Sequence, residues 1–124
     1  MPSFTAQIPN LQLNGPIVET RIAVGSVVEA ALRRNNQPIP NPVTARAMVD
    51  TGATVTVISQ DLPSKLGLQP VGVTFINTPS SANVRCYEYV IRLIFPNNVV
   101  FDTAVIAAPL QGQQIQCVLA HGVL

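Results

Sequence analysis

The chemistry-bearing feature of this 124-residue chain is a carboxylate placed between an apolar strand and a glycine turn. In Ala47-Met48-Val49-Asp50-Thr51-Gly52-Ala53-Thr54-Val55-Thr56-Val57-Ile58, the acid Asp50 has apolar residues on both sides. A charge in such a place is costly unless it is hydrogen-bonded, paired or held protonated. Thr51 offers a hydroxyl beside it, and Gly52 lets the backbone fold close enough to present N–H groups to the carboxylate. Asp-x-Gly is also an ordinary turn signal, but strands on both sides favour a chemical role. The remaining reactive side chains are few. His121 is the single histidine, and the two cysteines, Cys86 and Cys117, lie far apart. A zinc site needs a set of Cys and His ligands, so no metal and no cofactor are expected. Gly67 and Gly72 have the separation of a phosphate-binding loop, yet Val73 follows where lysine is needed. His121 reads as a capped or partly buried side chain. Cys86 and Cys117 read as small apolar residues of the core or of a hairpin base, their pairing left open. Asp102, between Phe101 and Thr103 with no glycine turn beside it, reads as an outward-facing strand residue.

Val49-Asp50-Thr51-Gly52-Ala53, followed at the matching spacing by Thr56-Val57-Ile58, resembles the retroviral-type (retropepsin-like) aspartic protease family. The likeness extends over most of residues 16–124. Residues 16–24 look like the family's first core strand, and Asn77-Thr78-Pro79-Ser80-Ser81-Ala82-Asn83 stands where it has a flap hairpin. Cys117-Val118-Leu119-Ala120-His121-Gly122-Val123-Leu124 is similar to its second signature, an apolar strand entering Gly-Arg-Asp/Asn. The resemblance implies an all-β fold: a small closed β-barrel of the retropepsin-like acid protease type, with one or two short helices. It also implies an aspartic endopeptidase that hydrolyses peptide bonds as a homodimer, each subunit supplying one Asp50. Two carboxylates so close cannot both ionise cheaply, so they share a proton around a water. One then acts as base toward the water while the other donates to the scissile carbonyl. Thr51, Gly52 and Ala53 support the loop, the Thr51 hydroxyl crossing the dimer. The implied partners are a second copy of the chain and a peptide or protein substrate.

Two departures qualify that pattern. Ala120-His121-Gly122 replaces Gly-Arg-Asp/Asn, and Thr54 stands where retroviral members carry the acid that holds the Arg. Both ends of the pair are missing together, which strands no charge but removes a brace near the cleft. The family's C-terminal helix and dimer strand have no counterpart before Leu124. Either the natural chain runs further, or the dimer is held differently, or this is an inactive retropepsin-like domain that serves as a dimerisation or peptide-binding module. A third class, an unrelated small barrel with a structural Asp50 turn, stays open as well.

The elements that must position Asp50 read almost entirely as strands. Seventeen residues are Val, and β-branched side chains suit a pleated surface. Ile17, Glu19, Arg21 and Ala23 alternate with Val18, Thr20, Ile22 and Val24, the period of a two-faced strand. Gly25-Ser26 punctuates, and residues 27–32 read as a returning strand, with Arg33-Arg34 at a solvated hairpin end. Residues 33–42 form an exposed Pro- and Asn-rich loop. Residues 45–49 lead into Asp50, and 55–58 resume as a strand. A short helix is expected within 59–66, with Ser59 as N-cap and Gly67 closing it. Further strands are expected at 71–76, 84–95, 99–107 and 115–119. No repeat or linker divides the chain, so residues 1–124 are read as one domain. Charged residues make up 10% of the chain and the net charge is +1, which argues against nucleic acid and polybasic membrane contacts. No run reaches the roughly 18 apolar residues of a membrane span. Met1-Pro2-Ser3-Phe4-Thr5 lacks the features of a secretion signal, and the expected compartment is the cytoplasm.

Overall fold

A computed structural model describes residues 16–50, 52, 55–78, 81–110 and 114–120. In chain order the elements are β1 (Ile17–Val24), α1 (Ser26–Arg34), β2 (Val43–Val49), β3 (Val57–Ser59), α2 (Leu62–Lys65), β4 (Gly72–Thr78), β5 (Ser81–Ile94), β6 (Val100–Ala108) and β7 (Cys117–Leu119). The strand order is β1-β2-β7-β3-β6-β5-β4, and β1 also pairs with β5. Six strands thus close into a barrel, which removes free edges from the wall. β4 hangs outside it as the outer strand of a ribbon with β5. The small all-β barrel with two short helices is the expected architecture. No helix among the described residues is long and apolar enough to cross a membrane.

Strand alternation divides the apolar residues into two cores. Ala45 and Ala47 of β2, Ile58 of β3, Val105 and Ala107 of β6, and Cys117 and Leu119 of β7 join Ile22, Ile91 and Leu93 in one cluster, the barrel interior. Their neighbours Met48, Val57, Ile106 and Val118 point the other way and form a second cluster with Ile76 and Cys86 of the ribbon. The wall is therefore apolar on both faces, as strands without polar alternation require. β5 serves both cores. Tyr89, Ile91 and Leu93 face the interior, whereas Cys86, one strand face over, covers the second cluster with Val84 beside it.

The helices differ from the sequence reading in instructive ways. Residues 27–32, expected as a strand, belong to α1, and Arg33 and Arg34 close that helix rather than a hairpin. Val27 and Val28 suggested β-structure, but Glu29, Ala30, Ala31, Leu32, Arg33 and Arg34 are strong helix formers, and their sum prevails. Glu29 lies in the first turn and the two arginines in the last, each favourable to the helix dipole. The Ser26 backbone N–H donates to Asp102 Oδ2 at 2.9 Å, and its hydroxyl bonds the same oxygen. That satisfies an otherwise orphaned N-terminal donor. Asp102 does face outward, and this contact is its role. α2 is shorter than expected. Ser59 ends β3 and Asp61 takes the cap position, while Gly67 closes the turn at φ +64° as expected.

Candidate active site

Asp50 follows the last residue of β2, and β2 runs parallel to β7 with Val49 beside Leu119. β7 in turn lies antiparallel to β3, with Val57 beside Val118. β7 therefore sits between the strand that precedes Asp50 and the strand that follows it. The loop from β2 to β3 must cross the end of β7, and Asp50 is the first residue of that crossing. Its backbone N–H donates to the Leu119 carbonyl at 3.1 Å, continuing the β2–β7 ladder by one step. Its carboxylate is held from the other side: Gly52 N–H donates to Asp50 Oδ1 at 2.9 Å. Asp50 is half-buried and Gly52 exposed, so the acid lies at the rim of the apolar wall rather than within it. Gly52 thus brings a backbone donor onto the Asp50 carboxylate.

The second signature comes to the same place. The Leu119 carbonyl receives the Asp50 N–H, and the next N–H, that of Ala120, donates to Thr56 Oγ1 at 3.1 Å. Thr56 is 2% exposed, and its own carbonyl accepts from Ile106 N–H at 3.0 Å. The β4–β5 ribbon reaches this region through Ile76 and Cys86, which pack in one cluster with Met48, Val118 and Ala120. Of the expected flap residues, Asn77 and Thr78 end β4 and Ser81 opens β5, with Thr78 opposite Ser81. Ala82 and Asn83 are exposed, and Asn83 adopts φ +55°. Pro79 and Ser80 lie outside the described residues, as do Thr51, Ala53, Thr54, His121 and Gly122.

A family model described as aspartyl protease matches residues 35–121. The chain belongs to the aspartyl protease family. The match spans β2 to β7, with Asp50, Thr56 and the whole ribbon inside it, and the family is of the retropepsin-like type. No curated protein matches the chain. For an aspartyl protease domain the arrangement is chemically apt: a carboxylate at a rim can meet a substrate, and backbone donors can orient it without neutralising it. The cysteines stand apart from this site's polar groups. Both are free and buried, and burial pushes the thiols up, Cys117 to about 12. The Thr56 hydroxyl is not distinguished by any motif; its signal in the sequence is a polar residue at the start of an apolar strand.

Proposed function

We propose that this domain is an aspartic endopeptidase that works as a homodimer of single-domain chains, with Asp50 from each copy forming the catalytic pair. The observation that carries this reading is the Asp50 carboxylate held by Gly52 N–H at the crossing over β7, in a chain of the aspartyl protease family. A single chain offers one such acid, and the chemistry needs two groups in opposite protonation states. A second copy related by a two-fold axis supplies the other. One carboxylate takes a proton from the attacking water, and its partner protonates the carbonyl oxygen of the scissile peptide. Thr51, Gly52 and Ala53 support the loop, and the ribbon tip, residues 77–83, closes over an extended peptide.

The deciding experiment is Asp50→Asn in the full chain. Asn keeps shape and can still accept from Gly52 N–H, but it cannot exchange a proton with water. Peptide cleavage should fall by about a thousandfold or more with the fold unchanged by circular dichroism. Cleavage at the wild-type rate in a pure Asp50→Asn preparation would sink the assignment. Ala120-His121-Gly122, where the family has Gly-Arg-Asp/Asn, favours a second reading as an inactive peptide-binding or dimerisation module. That reading expects a binding isotherm for apolar peptides and no cleavage by the wild type.

A further inference from the structure

Two hydrogen bonds described above belong to one peptide plane. The carbonyl of Leu119 accepts from Asp50 N–H, and the N–H of that same peptide unit, on Ala120, donates to Thr56 Oγ1, each at 3.1 Å. A peptide unit is planar, so fixing its N–H fixes its carbonyl on the opposite side. Thr56 is itself anchored, because its carbonyl accepts from Ile106 N–H at 3.0 Å and its side chain is enclosed. Ala120 is 5% exposed, so water cannot readily replace the hydroxyl as acceptor. Without it a buried donor is left unsatisfied. From these contacts we infer that Thr56 is a positioning residue for Asp50: its hydroxyl sets the Leu119–Ala120 plane, and that plane sets the Asp50 backbone.

The inference rests on Asp50 being the catalytic acid, but the linkage is physical and can be measured without catalysis. Thr20 provides an internal control. It is equally buried, and its Oγ1 donates at 3.3 Å to the carbonyl of Ala45 on β2, not to the Leu119–Ala120 peptide. A threonine that only fills space and makes one buried bond should behave like Thr20. Thr56 should not.

The test compares Thr56→Val, Thr56→Ser and Thr20→Val in the full chain. In Thr56→Val the Asp50 and Ala120 amides should exchange about tenfold faster, while β5 amides keep wild-type protection. On a cleavable peptide, kcat should fall about tenfold with KM changed by less than about twofold, because orientation rather than binding is lost. Thr56→Ser should restore both, and Thr20→Val should move neither. An unchanged Asp50 amide in Thr56→Val, or a Thr56→Ser protein as impaired as Thr56→Val, overturns the inference. If Thr56→Val fails to fold, the wild type decides. Across a denaturant series the Asp50 and Ala120 amides should open together, and protection differing by more than about tenfold shows that they are not one unit. A wild type that cuts no peptide removes the endopeptidase reading, while the exchange data still judge the linkage.

Discussion

At the scale of single residues, Asp50 is held by backbone groups: Gly52 N–H on its carboxylate and the Leu119 carbonyl on its own N–H. Backbone partners carry no titratable charge of their own, so this hold on Asp50 needs no charged neighbour. Cys117 shows the opposite use of burial. It is enclosed in the barrel interior, and the lack of water pushes its thiol up to about 12. Because the thiolate is the nucleophile, Cys117 should resist iodoacetamide at pH 8 in the folded protein and react once denaturant is added, as peptide mapping by mass spectrometry would show. The sign of the pH effect on stability follows. In the unfolded chain the thiol ionises near its ordinary value, about 8.5, while the folded thiol stays protonated. Stability should therefore fall as pH rises above that value, and Cys117→Ala should flatten that part of a denaturation series.

At the scale of elements, α1 is the least expected part and the most weakly tied. None of its residues is fully buried, and Val27 is 81% exposed. It is held to the barrel by charge: Glu29 pairs with Arg92 of β5 at 3.2 Å, Arg92 faces Asp102 of β6 at 3.6 Å, and Asp102 receives Ser26. Arg33 also pairs with Glu29, and the strand neighbour of Arg92 on β1 is the uncharged Ala23. The Arg92 hydrogen bond holds Glu29 below the usual carboxylate range, and the Ser26 hydroxyl does the same for Asp102. A depressed pKa contributes stability that is present above the unfolded value and is lost as pH falls through the folded one. α1 amides should therefore lose protection below about pH 4, before the strands do, and Asp102→Asn should weaken α1 at pH 7. Equal protection of α1 and β5 at pH 3 would show that charge is not what holds the helix. α2 ends on a different device. Gly67 closes it at φ +64° with open space around its Cβ position. Gly67→Ala should cost about 1 kcal/mol from backbone strain alone, measurable by urea denaturation.

At the scale of the whole molecule, the barrel works as a frame that brings distant segments to one rim. β2 and β7, and β3 and β6, are parallel neighbours, and parallel pairs need long connections between them. The segments on either side of Asp50 are thereby locked to residues some 70 positions later, as Asp50 to Leu119 and Thr56 to Ala120 show. On the endopeptidase reading the frame is half of a site. Sedimentation over a concentration series should show a monomer–dimer equilibrium, and a strictly monomeric protein at millimolar concentration would count against that reading. A peptide-like inhibitor should slow exchange at Ala82 and Asn83 on the ribbon. Unaltered exchange there would remove the ribbon from the site.

What could be read without a structure was whatever depends on near neighbours in the chain. Alternation marked β1, a short apolar run marked β2, a β-branched run marked β6, Gly67 marked the end of α2, and Asp50-Thr51-Gly52 between strands marked the candidate site. Such features arise from the pleat, backbone freedom and local solvation, all encoded within a few residues. α1 was misread because two valines at its start speak for a strand, whereas Asp102, which caps it, lies 76 positions away. A separation of 64 positions likewise hid the tie between Thr56 and Ala120. Which carbonyl receives the Asp50 N–H, and which hydroxyl steadies that carbonyl, depends on β7 lying between β2 and β3. That order comes from closing an apolar sheet on itself, a global packing choice that no local stretch of residues expresses.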